Sequence, residues 1–445
     1  MRLLALALGL TVALLGAVAA PYRDILQAEH ARSLAGGQLV AGLDREPALA
    51  ARAALAIGRT KDQAGAPALR AHLAATDPAV RAMVVYALGL LADRDSLSPI
   101  QRLLALDPNS AVRYAAADAL GRIVVAAPSG QTPAGPDAAL LRVVRSDPAP
   151  LVRAHAAANL DVYRDAAQAQ AVAFALQHDF ARERSTDVRW HILWVLGRGY
   201  PKLTSRAFWL PLLHDPSDLV RIEALRGLAH GSDASVTSAI APLLSDPSWR
   251  VAEEANEALR RLRGQLPTDH LTRLQSPLAL PTIPAIPETA AVPLPRPSAT
   301  GKPAAPSVDD ARFDLPLLPN SAALMNGPMR GPHPRVRVTT TQGTFVVRLY
   351  PEWAPLTVAN FLLLTERGYF DDNRWFRIVP DFVVQTGDPT NTGDGDAGYT
   401  IGAEENPIEQ RAGVISMGLN YDEKANTPIR DSAGTQFYIT LSPQL

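Results

Sequence analysis

Seven times between residues 30 and 263 a turn-forming stretch leads, within a few residues, to an arginine that opens an Ala/Leu-rich helical pattern. The stretches are EPALAAR ending at Arg52, DPAVR at Arg81, DPNSAVR at Arg113, DPAPLVR at Arg153, STDVR at Arg189, DPSDLVR at Arg221 and DPSWR at Arg250. Successive arginines are 29, 32, 40, 36, 32 and 29 residues apart. Three helical turns take about eleven residues, so this period holds two short helices and two turns. Residues 77–106 show the expected unit: Asp77 caps the first turn, Pro78 fills a position that needs no amide donor, and Val80, Val84, Ala87, Leu88 and Leu91 share one face. A second helix, about Ser96 to Leu106, turns Leu97, Ile100, Leu103 and Leu104 inward. One hairpin cannot bury both stripes, so the units must stack into an extended array. Small residues in Ala87-Leu88-Gly89, Ala119-Leu120-Gly121, Val195-Leu196-Gly197 and Leu228-Ala229 let neighbouring units approach closely. The Pro/Gly/Ala-rich stretch between Ile123 and Asp137 loops out and accounts for the longest step.

The pattern resembles HEAT-like repeats over residues 30–263, about half the chain. The resemblance implies an all-α solenoid that serves as a protein-binding scaffold, so a protein partner on the array is expected. The seven arginines could form a basic recognition strip. A structural role outweighs that: each stem packs along its helix while the head pairs with an aspartate of its own or the next turn. Trp190, Trp194, Trp209 and Trp249 read the same way, as core rather than as a binding platform.

At 445 residues the chain exceeds one folding unit, at about 150 residues each. Forty-three Lys and Arg against 44 Asp and Glu give a net charge of −1, which argues against a nucleic-acid partner. With no cysteine, thiol nucleophiles, cysteine-bound metals and disulfides are excluded. Met1-Arg2, the apolar run Leu3 to Val18 and Ala17-Val18-Ala19 read as a signal peptide, residues 1–19, cleaved after Ala19. The run is shorter than the about 20 residues that span a bilayer. A mature protein in the periplasm or secreted, with no membrane association after cleavage, is therefore expected.

Residues 264–334 lose the helical period, and fourteen prolines fall between residues 277 and 334. Such spacing favours an extended proline-rich linker. Phe313, Leu315, Leu317 and Leu318 are placed to strap onto the domain that follows.

From residue 335 the pattern changes to strands. RVRVTTT and TFVVRLY, joined at Gln342-Gly343, predict a β-hairpin. A helix over Trp353–Arg367 follows, with Pro355 in its first turn, Val358, Phe361, Leu362 and Leu364 on its apolar side and Gly368 as its stop. RWFRI and FVVQT are further strands, and a barrel-like sheet with a helix at one end accommodates all of these.

TVANFLLLTERGYFDD, RWFRIVPDFVVQTGDPTNTG, GVISMG and GTQFYITLS then occur in the order, and with about the spacing, of cyclophilin-type peptidyl-prolyl cis-trans isomerases. The resemblance covers residues 335–445. It implies a mainly-β barrel and the activity of a peptidyl-prolyl cis-trans isomerase on proline-containing polypeptide clients, assisting protein folding. It implies the following site: Arg377, before Ile378-Val379-Pro380, as the catalytic arginine, with Gln385 and Gln436 beside it; Phe382 as the floor of the proline pocket; and Val383, Gly393, Met417, Gly418, Leu419 and Tyr438 around the bound peptide. Phe376 stands where the family most often has histidine, and Val383 where it has methionine. NYDEKANTPIRDSAG is longer than the usual loop. The chain stops at Leu445, where family members continue, so the barrel is expected to be incomplete at its C-terminal end.

Physical chemistry supports these residue types. Rotation about an X-Pro bond faces a barrier of about 18–20 kcal/mol because the amide loses its resonance. In the twisted state the proline nitrogen gains a lone pair, which a fixed cation binds better than the planar ground state. No cofactor is implied. A hydrolase is disfavoured, since no nucleophile elbow or metal-ligand spacing occurs and His333 stands alone. A scaffold that binds proline segments without turning them over is the alternative.

Overall fold

The computed structural model describes residues 22–128, 131–163, 165–230, 234–264, 333–379, 381–393, 395, 398–422 and 427–442. The signal peptide and nearly all of the proline-rich linker, including Phe313, Leu315, Leu317 and Leu318, lie outside the described residues, as does Pro380. The chain divides into two units, one of residues Ala31–Thr268 and one that contains Asp269–Leu445.

The first unit is all helix. Its principal helices are α1 (Pro47–Thr60), α2 (Pro78–Leu91), α3 (Leu97–Leu106), α4 (Ser110–Val125), α5 (Pro136–Ser146), α6 (Pro150–Ala158), α7 (Ala166–Phe180), α8 (Thr186–Gly199), α9 (Asp218–His230) and α10 (Trp249–Leu262). Asp77 caps α2 by accepting from the amides of Ala79 and Val80 at 2.8 and 3.1 Å. Where Pro211 and Pro242 interrupt the amide ladder, the second helix of a unit breaks into short turns, Arg206–Trp209 with Leu210–His214 and Thr237–Ile240 with Ala241–Ser245.

The repeated arginines tie one unit to the next. Arg81 donates in a fork to Asp107 at 2.9 and 3.1 Å, and its remaining nitrogen reaches the carbonyls of Ala75 and Thr76. Arg113 repeats this with Asp147 at 2.6 and 3.0 Å and with the carbonyls of Asp107 and Pro108. Arg153 does so with Glu183, and Arg221 with Asp246. The carboxylate therefore belongs to the following unit and the carbonyl to the arginine's own turn. Asp107, Asp147, Asp215 and Asp246 also accept the amide two residues on, which rigidifies each turn.

Backbones approach closely where the small residues recur. A Cβ added at Gly58 would lie 2.7 Å from the Cα of Ala87, and one at Gly89 2.6 Å from the Cα of Ala119. Trp190 and Trp209 are buried, and Trp190 donates to Glu223 at 3.2 Å. Trp194 is half-buried beneath the guanidinium of Arg198. Trp249 departs from the core placement expected of it: it opens α10, ahead of that helix's buried stripe, and is 48% exposed. Among the described residues no helix is long and apolar enough to cross a membrane.

In the second unit β1 (Arg335–Thr340) pairs antiparallel with β2 (Gly343–Arg348). The tip is Thr341-Gln342, one residue earlier than the sequence suggested, because Thr340 accepts the Gln342 amide and donates to the Gly343 carbonyl through its hydroxyl. Helix α11 (Pro355–Glu366) follows, its first amides held by the carboxylate of Glu404 at 3.1 and 2.8 Å. Strands β3 (Arg377–Val379), β4 (Val383–Thr386), β5 (Ile415–Met417) and β8 (Phe437–Thr440) form a sheet of order β3-β4-β8-β5, while β6 (Tyr421–Asp422) pairs with β7 (Thr427–Pro428). One core joins these parts: Val347 and Leu349, Val358, Phe361 and Leu362 of α11, and Phe437 of β8.

An incomplete barrel was expected, and among the described residues no closed barrel forms. Closure needs one hydrogen-bonded circuit of strands, whereas these strands form three separate sheets. What stands is an all-α repeat region and a mainly-β region.

Candidate active site

Antiparallel register decides which side chains can meet, because directly opposed residues share a face. Arg377 on β3 opposes Gln385 on β4, and Gln385 opposes Tyr438 on β8. Three of the expected residues thus form a row across neighbouring strands. Arg377 Nη1 donates to Gln385 Oε1 at 3.2 Å, and Gln385 Nε2 donates to Gln436 Oε1 at 2.9 Å. Gln436, two residues before Tyr438, donates in turn to the carbonyls of Gly393 and Gly395 at 2.8 and 2.9 Å.

Phe382 lies in the tight turn between β3 and β4, which is held by its amide donating to Val379 and by its carbonyl accepting from Leu441. Phe382 is 39% exposed, and the Arg377 guanidinium carbon lies 5.7 Å from its ring centroid. An apolar surface and a fixed cation therefore sit within the span of one X-Pro unit. Tyr438 is half-buried and donates its hydroxyl to Gln410 at 3.0 Å. Gly418 donates its amide to the Gln436 carbonyl, and a Cβ there would lie 3.4 Å from Gln385 Nε2, in van der Waals contact with the glutamine pair. Gly393 has φ of +100° and presents its carbonyl to Gln436. Leu419 is exposed at the edge of this region.

Two expected residues are placed differently. Met417 opposes Phe437, so its side chain is on the opposite face of the sheet, packed against the core. Val383 shares the face of Gln385 but is only 2% exposed. Its cross-strand neighbour Thr440 is bonded to the carbonyls of Arg411 and Val414. Val383 is thus buried away from solvent, and Met417, half-buried, faces away from Arg377.

Sequence reasoning missed Asp388 and Gln410. Asp388 is fully buried and accepts from the amides of Thr390, Thr392 and Gly393 at 2.6, 2.8 and 2.6 Å, and from the Thr390 hydroxyl at 2.8 Å. Burial pushes its carboxyl up, but these donors outweigh burial and hold it well below the usual carboxylate range. The threonines two and four residues after Asp388 are the sequence signal of such a turn. Gln410 carries no comparable signal, because the loop that delivers it has no regular period. Among the described residues no three His, Asp or Glu side chains converge as metal ligands do.

Residues 335–445 match the family of cyclophilin type peptidyl-prolyl cis-trans isomerases, and residues 38–121, 73–161 and 206–278 match HEAT repeats. Peptidyl-prolyl cis-trans isomerase-like 1 of Neurospora crassa is 43% identical over 108 residues, which are 24% of this chain and 64% of that protein. Peptidyl-prolyl cis-trans isomerase CYP18-2 of Arabidopsis thaliana is 39% identical over 125 residues, 27% of this chain and 71% of that protein. The chain spans 63 to 65% of the length of the fungal isomerase-like relatives it matches first. Among solved structures, a cyclophilin type peptidyl-prolyl cis-trans isomerase of Cryptosporidium parvum, crystallised with the dipeptide Ala-Pro, is 30% identical, covers 25% of this chain and 70% of its own, and superposes with a TM-score of 0.23.

Proposed function

Through residues 335–445 the chain belongs to the cyclophilin-type peptidyl-prolyl cis-trans isomerase family, and on that premise we propose that it isomerises X-Pro bonds of polypeptide clients while its HEAT-like repeats hold those clients. The observation that carries the reading is Arg377 standing over the ring of the exposed Phe382 with Gln385 bonded behind it.

The proline ring rests on Phe382, burying apolar surface that is the same for both isomers. As the peptide bond twists, resonance is lost and the nitrogen becomes a hydrogen-bond acceptor. The Arg377 guanidinium donates to that nitrogen in the twisted state only, so the interaction lowers the barrier rather than merely tightening binding. Gln385 orients the guanidinium, and Gln436 orients Gln385. No covalent bond is made and no proton is transferred, which fits a site built of an arginine, two amides and aromatic rings.

The reading places the mature protein in the periplasm or outside the cell. The support is the basic start and apolar run of residues 1–19, which end in a small-residue cleavage pattern.

The test is an isomerisation assay on an Ala-Pro peptide with the full chain and its Arg377→Ala variant. The variant is expected to lose about 100-fold in kcat/KM. Unchanged turnover rejects the reading. Peptide binding with no rate enhancement in the unaltered chain selects a docking module instead.

A further inference from the structure

Gln436 turns both hydrogens of its amide nitrogen toward backbone carbonyls, Gly393 at 2.8 Å and Gly395 at 2.9 Å. A carbonyl only accepts, so Nε2 must face this loop and Oε1 must face away from it. Oε1 then receives Gln385 Nε2, and Gln385 is left with its own Oε1 toward Arg377 Nη1. Flipping either amide would set donor against donor or oxygen against oxygen. The acceptor that Arg377 meets is therefore dictated two residues away, by the carbonyls of a loop.

Asp388 dictates the loop. Oδ1 accepts from the amide and the hydroxyl of Thr390, and Oδ2 from the amides of Thr392 and Gly393. A Cβ at Gly395 would lie 1.9 Å from Asp388 Oδ1, so the chain closes tightly round the carboxylate before its carbonyls reach Gln436. The strand side is pinned as well, since Thr435 donates its hydroxyl to the Gly387 carbonyl.

We infer that Asp388 is a positioning residue for Arg377, acting through the Gly393 and Gly395 carbonyls, Gln436 and Gln385 in the X-Pro isomerisation proposed above, on which the inference rests. Asp388 touches no substrate. Its carboxylate holds the loop carbonyls where they fix both amide orientations, and these aim the guanidinium. An asparagine of the same shape cannot replace it, because its amide nitrogen would face a backbone donor whichever way it turned. With the loop released, Gln436 and then Gln385 flip, and Arg377 loses its acceptor while Phe382 still receives the proline.

Asp388→Asn in the full chain is expected to lower kcat for an Ala-Pro peptide by about tenfold with KM unchanged, since orientation and not ground-state binding is lost. The side-chain amide signals of Gln385 and Gln436, followed by NMR, are expected to move together in that variant. In the unaltered chain the two Nε2 hydrogens of Gln436 should couple through their hydrogen bonds to the carbonyl carbons of Gly393 and Gly395. If Asp388→Asn does not fold, Thr390→Val, which removes one hydroxyl donor and keeps the carboxylate, should show the same signal changes with about a threefold loss of kcat. An unaltered kcat, or a lowered kcat with both glutamine signals in place, overturns the inference and leaves the isomerase reading standing. An unaltered chain without isomerase activity rejects that reading, and the inference with it.

Discussion

Arg113 and Arg377 carry the same charge into opposite surroundings. Arg113 is largely buried, forked onto Asp147 and bonded to two carbonyls of its own turn, whereas the Arg377 side chain is exposed and held by Gln385. Replacing Arg113 with alanine strands a buried carboxylate, and about 3 kcal/mol of stability should be lost. Urea unfolding checks this, and a loss below about 1 kcal/mol would mean that Asp147 is satisfied without its partner. The structural use of the repeated arginines was legible because a turn, a carboxylate and an arginine recur together. Arg377, Gln385 and Gln436 were singled out only by the resemblance to the isomerase family, and the structure joins them by hydrogen bonds. The placement of Met417 was not legible, since a strand's two faces alternate residue by residue and only the pairing of Met417 with Phe437 reveals which face it takes.

Between elements, two glycines at equivalent places in their helices predict opposite outcomes. Gly89 of α2 would put a Cβ 2.6 Å from the backbone of Ala119, which no side-chain rotation can relieve. Gly89→Ala should force the helices apart and cost about 2 kcal/mol, more than the about 1 kcal/mol gained in helix propensity. Gly197 of α8 meets nothing nearer than 3.8 Å, so Gly197→Ala should stabilise by up to about 1 kcal/mol. Thermal unfolding of both variants checks the pair, and a shared sign would contradict the packing described. The carboxylates between units set the acid limit of the array. Burial pushes Asp107, Glu183 and Asp246 up, but their arginine and amide donors outweigh it and hold all three low. A carboxyl lowered on folding contributes its stability above its unfolded value, about 3.9 to 4.3, and loses it as pH falls through the lower folded value. Helical content in moderate urea should therefore hold from pH 7 to about pH 5 and fall below about pH 4. A flat profile down to pH 3 would show that the ladder contributes little. Element boundaries followed from caps and prolines in the sequence, while the one-residue shift at the hairpin tip came from hydroxyl bonds of Thr340 that no hydrophobic pattern encodes.

Across the whole molecule the sequence divides its labour by composition: an Ala/Leu-rich array bound by arginine and carboxylate, a proline-rich stretch, and a mainly-β unit with a cation over an aromatic ring. The two structural classes were readable from period alone, about 30 residues against alternation by twos. An incomplete barrel was expected, but the strand order β3-β4-β8-β5 was not readable, because pairing is decided at long range. The central claim is that Arg377 acts on the twisted X-Pro bond and not on the resting peptide. Its most direct test measures two quantities on one Ala-Pro peptide: the dissociation constant, and the cis-trans exchange rate in the bound state by exchange NMR, for the full chain and for Arg377→Ala. The account predicts an exchange rate lower by about 100-fold with the dissociation constant unchanged within about twofold. Equal losses in affinity and kcat/KM, with bound-state exchange unaffected, would contradict it.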